Sequence, residues 1–431
     1  MSGATVSGDM RMGRLSLAAA AAVLLVAASA ASRAADWPEY HGPRRDNKST
    51  ETGLLKSWPE GGPKLLWTAS GLGKGYTPVS VAKGMIYTAG MVDKRTFVFA
   101  FDLNGRMKWR SPNGESWQAS ERMRHATSYG GSRGTPTVKD GVAYHLGDLG
   151  RLTAFRADTG RELWTVDMLE RFDAKRPSYG LCESVLIDGE NVICSPGGAK
   201  GYMVALDRKT ARTSWVNTEI KDRVGFSSLV VAEFGGIRQL VTMSADAVFA
   251  VDAKTGRLLW RVGHRNRRGN NATDVIYSKP YVYASSGYGK GSILLRLKRT
   301  EGGIAAEKVW ESELLDSLNE GVILHEGHLY GSGYQKGGRF CLDFMTGGQK
   351  YRSEGPAKGS LTYADGMLYC LGERGTMSLV RATPAAYEVV ASFEVPSGGT
   401  GKYWAHPVVC GGRLYVRHAD RLYAYDIRAR R

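Results

Sequence analysis

The chain has 431 residues, with 58 Lys and Arg against 42 Asp and Glu and a formal net charge of +16. No linker-like or low-complexity stretch follows the N-terminal region, which argues against a string of tethered domains, and a Gly- and Tyr-rich sequence without a long helical pattern points to an all-β chain. The charge favours anionic partners such as acidic polysaccharide, phospholipid headgroups or nucleic acid met non-specifically; no specific nucleic-acid recognition is expected.

Residues 1–35 read as an export signal. Arg11 and Arg14 precede an apolar run from Leu15 to Ala31, and the small residues Ala28-Ser29-Ala30 and Ser32-Arg33-Ala34 follow as cleavage sites. The run is too short and Ala-rich for a spanning helix, so the chain is expected to be periplasmic or secreted and not membrane-spanning. Residues 36–63 form a Pro-rich segment in which Pro38, Pro43 and Pro59 exclude regular ladder pairing, and it is expected to lie as a strap across the domain that follows.

From residue 64 to 431 one pattern returns. In its clearest copy, a strand at Thr135 is followed by the turn KDG, a strand from Val142, the turn DLG, a strand from Arg151, the turn DTG and a strand carrying Trp164. Apolar residues alternate with period two, as in Val142, Tyr144 and Leu146, which marks half-buried antiparallel strands joined by tight turns. The segments AFRADTGRELW from Ala154, ALDRKTARTSW from Ala205, AVDAKTGRLLW from Ala250 and CLDFMTGGQKY from Cys341 keep one spacing, and AFDLNGRMKW from Ala100 is one residue shorter. Trp310 and Phe393 fill the aromatic place in two degenerate copies. The aromatic residue is expected to fill the wedge between neighbouring sheets, and the Asp and Thr to fix the turn by hydrogen bonds.

This repeat resembles the tryptophan-docking motif of the quinoprotein (PQQ-like) β-propeller family. The lead-in, WPEYHGPRRD and then WPEGGPKLLW, is similar to that of exported PQQ-like repeat proteins. The resemblance implies an all-β, eight-bladed β-propeller of four-stranded antiparallel blades. Repeat cores fall near 77–110, 134–167, 179–217, 225–262, 273–312, 320–353 and 360–395. The last segment, 405–431, lacks a Trp strand, and KLLWTA with Trp67 is a Trp strand without a blade; pairing them closes the ring. Seven blades with irregular ends is the alternative. The five Cys leave at least one thiol unpaired in a monomer, the expected state; Cys182 and Cys194 flank one hairpin and are a candidate pair.

Several motifs are read as structure. His325-Glu326-Gly327-His328 falls where other copies have their first hairpin turn, so no metal site is expected there. Gly130-x-Ser132-x-Gly134 precedes a strand and not a helix, which excludes a nucleophile elbow. Gly287–Gly291 and Gly197-Gly198 are turn glycines. The candidate site is a basic and aromatic face formed by the loops that link one blade's last strand to the next blade's first, together with the second hairpins. Its anion-binding candidates are Arg122, Arg124, His125, Arg133, Arg176, Arg223, Arg265, Arg267, Arg268, Lys402, Trp404 and His406. No catalytic residue is assigned.

The expected function is that of an exported, non-catalytic scaffold or binding protein of the cell envelope, with an envelope protein or an anionic polysaccharide as partner. A propeller lipoprotein of the outer-membrane BAM complex is a member of this kind, although the present chain lacks a lipobox Cys. The alternative within the family is a PQQ-dependent alcohol or sugar dehydrogenase. It would bring PQQ and Ca²⁺, with Glu183 and Asn270 or Asn271 as possible calcium ligands and Asp274 as base. No adjacent Cys pair is present to cover such a quinone, and no cofactor is otherwise expected.

Overall fold

The computed structural model describes residues 36–354 and 358–429, with the backbone alone for Arg124 and His125. The export signal read over residues 1–35 lies outside the described residues.

The strands form eight four-stranded antiparallel sheets. Blade 1 runs through Ser80–Ala82, Met85–Val92, Arg95–Asp102 and Met107–Glu115. Blades 2 to 7 repeat this meander over 137–167, 186–217, 230–263, 276–312, 322–353 and 359–394. Blade 8 takes three strands from the C-terminal end, Val408–Cys410, Arg413–His418 and Arg421–Asp426, and its outer strand, Lys64–Ala69, from the N-terminal end. Trp67 stands opposite Ala424, the register that pairs Trp164 with Ala154, Trp215 with Ala205 and Trp260 with Ala250. The eighth blade is therefore present, and its repeat motif is divided between the two ends of the chain.

Period two in each strand sends alternate residues to opposite faces, and each face meets a different neighbour. In Arg95–Asp102, Phe99 and Phe101 pack towards blade 8, while Val98 and Ala100 pack towards blade 2. The buried apolar residues accordingly fall into eight clusters among the described residues, one between every two successive blades. One of them joins blade 8 to blade 1 through Tyr415, Leu422, Val81 and Ile86, so the ring is closed by the same kind of seam as the rest.

The tryptophans dock across these seams. The indole N–H of Trp67, Trp109, Trp164, Trp215 and Trp310 donates to the carbonyl of Leu103, Ala157, Arg208, Ala253 and Phe344, each in the next blade's third turn. In four of these turns a glycine with positive φ lies against the indole ring, so that a Cβ on Gly256 would stand 2.3 Å from Trp215 and one on Gly105 2.5 Å from Trp67; in the turn that receives Trp164, Ala211 holds that place with φ 57°. Within the turn, Asp207, Asp252 and Asp343 accept from the backbone and hydroxyl of Thr210, Thr255 and Thr346. Trp260 departs from the rule and donates to Gln239 Oε1, because blade 5 replaces the short turn with a long hairpin, Gly291–Thr300 with Gly303–Ser312.

One sequence expectation is corrected. Cys182 and Cys194 are not bonded to each other. Cys194 packs in the seam between blades 2 and 3, whereas Cys182 faces the axis, where burial pushes its thiol up to about 11.

Candidate functional site

Residues 36–63 cross the end of the ring that carries the first hairpin turns, and part of the segment enters the axis. Trp37 bridges to Val81 of blade 1, Pro38 accepts from Val138 of blade 2, Lys48 bridges to Tyr363 of blade 7 and Leu54 to Arg428 beyond blade 8. Between these anchors, His41, Arg45 and Asn47 adopt positive φ and are buried. Arg45 donates to Glu39 and to three backbone carbonyls, those of Ser184, Val185 and Leu229. Asn47 donates to the carbonyl of Leu361. His41 contacts Asp274 Oδ2 at 3.2 Å and His406 Nδ1 at 3.1 Å, and His406 Nε2 meets the carbonyl of Asn319 at 3.0 Å. The segment thus ties blades 3, 4, 5, 6, 7 and 8 together from inside the ring. Burial holds His406 neutral, down to about 3.

Above this plug lies a cavity of about 220 Å³, whose floor is Tyr40 and His406. Its wall is a bowl of aromatic rings from seven loops: Tyr76, Tyr129, Tyr179, Phe226, Tyr288, Tyr334 and Trp404. Trp404 packs against Tyr76 and Tyr129 with centroids 5.0 Å away in each case, and Tyr288 meets Tyr334 at 4.9 Å. Neighbouring rings are tilted by 41° to 71°, so they form facets and not a flat slot. Buried carboxylates beneath the rim hold the loops: Asp148 accepts from Thr96, Ser116 and the Trp117 amide, and Asp316 accepts from amides of Gly289, Gln335 and Lys336. Asp316 thereby fixes the two hairpins that carry Tyr288 and Tyr334.

Among the predicted anion-binding residues, Arg133, Trp404 and His406 reach the cavity, and of the calcium-ligand candidates Asn270 lines it as well. Arg133 donates to the carbonyls of Tyr179 and Tyr129 and stacks 5.2 Å from Trp117. His406 is in the floor as an uncharged hydrogen-bonding group. Arg176 and Arg223 line an adjoining groove of about 390 Å³, which shares Phe226 and Asn270 with the cavity as walls. Arg267 bonds Gln335 and covers Tyr288 at 5.8 Å. Arg268 is exposed in the same loop, and Arg265 pairs with Asp246 at 3.2 Å. Lys402 lies 3.5 Å from Glu373, which also accepts from the Trp404 indole. Arg122 is exposed on the 3-10 helix Glu121–Tyr129, which also carries the backbone of Arg124 and His125.

Of the floor and wall, sequence reasoning passed over Tyr40, Phe226, Tyr288 and Tyr334. Tyr288 and Tyr334 occupy the same place in Gly-Tyr-Gly-Lys-Gly and Gly-Tyr-Gln-Lys-Gly, and that recurrence was a usable signal. His41, Arg45 and Asn47 gave none, since nothing in a Pro-rich segment says which residues enter an axis. His325 and His328 do pair across a first hairpin turn.

The residues that a calcium-bound quinone would need do not meet at the cavity. No carboxylate lines it, whereas Ca²⁺ takes six to eight oxygen ligands, carboxylates prominent among them. Glu183 faces a separate small cavity, accepts from the Ser195 amide, and is pushed by burial up to about 8. Asn271 is buried and committed to Ser244, Asn266 and Ser286, and Asp274 to Ser228 and His41. No group of three or more His, Cys, Asp or Glu fit to hold a metal occurs among the described residues.

Fold and site together define an eight-bladed propeller with a plugged axis and an aromatic cup. The model of a family described as outer membrane protein assembly factor BamB matches residues 94–352. The chain belongs to this PQQ-like propeller family. The structure of BamB from Moraxella catarrhalis superposes with a TM-score of 0.61 at 15% identity, covering 85% of this chain and 98% of that one. Quinohemoprotein alcohol dehydrogenase from Comamonas testosteroni gives 0.63 at 14% identity, covering 92% and 81%. Among curated relatives, quinohemoprotein alcohol dehydrogenase ADH-IIG of Pseudomonas putida is 33% identical over 145 residues, 32% of this chain and 18% of that protein. The dehydrogenase subunit of the quinone alcohol dehydrogenase of Komagataeibacter europaeus is 28% identical over 252 residues, 52% and 29%. The chain thus spans less than a third of these two relatives' length.

Proposed function

We propose that the chain is a non-catalytic binding propeller of the cell envelope that holds its ligand in the aromatic cup on the axis. The observation that carries this reading is the lining of the cup. It has apolar ring faces, tyrosine hydroxyls and one guanidinium, but no carboxylate to act as a base or to hold a hard cation. The floor made by residues 36–63 supports the same reading, because it turns the axis into a blind site whose shape the ring alone would not provide. The likeness in fold to BamB agrees with a role in binding.

The dehydrogenase reading draws on the names of the curated relatives and is tested directly. Purified protein incubated with PQQ and Ca²⁺ and then desalted is expected to keep no cofactor absorbance and to reduce no dye with alcohols or aldoses. Retention with turnover would overturn the proposal. Conversely, wild-type protein is expected to sediment with washed envelope fragments and the Trp404→Ala/Tyr334→Ala variant to stay in solution; equal sedimentation would also count against the cup.

A further inference from the structure

The cup and the basic groove share Phe226 and Asn270 as lining residues, and the charged lining of the groove is Lys175, Arg176 and Arg223 with Asp173 and Asp222. Asp222 is spent: Arg261 donates to it through Nε and Nη2 at 2.8 to 3.1 Å, and Ser244 donates to it. The three cations, in contrast, are exposed, and their charged side-chain groups have no hydrogen-bond or ion-pair partner among the described residues. Arg223 is held against Gly269, where a Cβ would meet its Nη2 at 2.2 Å. After Asp222 is discounted, the groove keeps three cations against Asp173.

Given the cup as a binding site, on which this inference rests, we propose that its ligand is an acidic oligosaccharide of the uronate type. One sugar ring sits in the cup and the carboxylate of a following residue lies in the groove on Arg176 and Arg223. A sugar chair has an apolar C–H face and a rim of hydroxyls, and a faceted bowl of tyrosines and Trp404 offers both ring faces and hydroxyls to match. A flat heterocycle would call for parallel faces instead. Arginine binds a carboxylate through two parallel N–H donors, so two unpaired guanidiniums in the groove adjoining the cup select an acidic chain over a neutral one.

The test is a titration, followed by Trp fluorescence and calorimetry, with galacturonate oligomers and with cello-oligosaccharides of equal length. The acidic series is expected to bind at least about tenfold more tightly at low salt, and this margin to shrink as salt shortens the Debye length from about 10 Å to about 3 Å. Arg176→Ala/Arg223→Ala removes two exposed side chains and is expected to abolish the margin without changing the neutral series. Arg176→Lys/Arg223→Lys should keep part of it, and Trp404→Ala should weaken both series. Equal binding of acidic and neutral oligomers, or an unchanged margin in the double Ala variant, overturns the inference. So does failure of every saccharide to bind while wild-type protein still sediments with envelope fragments through the cup; that result would leave the binding reading standing.

Discussion

At the seam between blades 3 and 4, Trp215 lies on Gly256 and donates to Ala253; at the mouth of the axis, Trp404 lies against Tyr76 and Tyr129 and donates to Glu373. The indole-to-carbonyl bond of the first arrangement recurs at the same repeat position for five tryptophans, with Trp260 the exception. The second occurs once, from loops that share no motif. A seam needs complementary shape in every copy, so its residues are constrained alike. The mouth needs one shape in one place, so its residues come from the parts of the blades that are free to differ. The plug stands between the two, a single copy that serves both stability and the site.

The largest effect is expected when the elements that close the ring are removed. Deleting residues 36–69 takes away the outer strand of blade 8 and the plug, and exposes the edge of Arg421–Asp426. Loss of a cooperative thermal transition by circular dichroism is expected; a transition near that of wild type would show that the seams alone suffice. Arg45→Ala leaves the carbonyls of Ser184 and Leu229 buried without the Arg45 donor, while that of Val185 keeps the Thr137 hydroxyl, and should cost about 3–5 kcal/mol in denaturant unfolding.

Two glycines sharpen the seam. Both Gly256 and Gly84 have positive φ, but a Cβ on Gly84 would meet nothing within 4 Å. Gly256→Ala should therefore cost about 2–4 kcal/mol, backbone strain plus a clash with Trp215, while Gly84→Ala should cost only about 1 kcal/mol from the backbone. Equal losses would mean that the indole contact carries no weight.

The pH dependence follows from the buried groups, with two opposite signs. Burial lowers His145 and His264 to about 4 and His406 to about 3, so below about 6.5 the unfolded chain takes up protons that the folded chain refuses. Stability should fall as pH drops from about 6.5 to about 4, by an amount on the order of a few kcal/mol. Glu183 acts the other way. With its folded value raised to about 8, its contribution is intact below the ordinary carboxyl range and is lost as pH rises through 8. Glu183→Gln should gain stability relative to wild type at pH 8 and above, and no gain below pH 5. A melting-temperature series across pH checks both signs.

The smallest effect is expected at the mouth itself. Tyr334 is half-buried, and its ring meets Tyr288 across a hairpin that Asp316 holds independently. Tyr334→Ala should change unfolding free energy by less than about 1 kcal/mol while weakening ligand binding. A large loss of stability would place the rim with the seams.

The ring was legible residue by residue because its forces are local and repeated. The constant spacing from Ala154, Ala205 and Ala250 to their tryptophans reports one turn and one bulge, and Trp67 without a blade beside 405–431 without a Trp strand announced the closure. The basic loops were placed at the mouth by the same counting, which brought out Arg133 and Trp404. Counting could not say that Lys402 is matched by Glu373, or that His406 sits under the cup without charge, because those outcomes depend on a neighbour from another blade and on burial.

What the sequence determined alone was thus the repeat, the blade number and the joining of the ends, since period-two alternation and tight turns act over a few residues. Only the tertiary structure decided that His41, Arg45 and Asn47 enter the axis, that the cup is blind, and that Arg176 and Arg223 stay unpaired beside it. Those facts depend on contacts between residues more than a hundred positions apart, such as Arg45 with Ser184 and Leu229, and no local pattern encodes which distant carbonyl a side chain will reach.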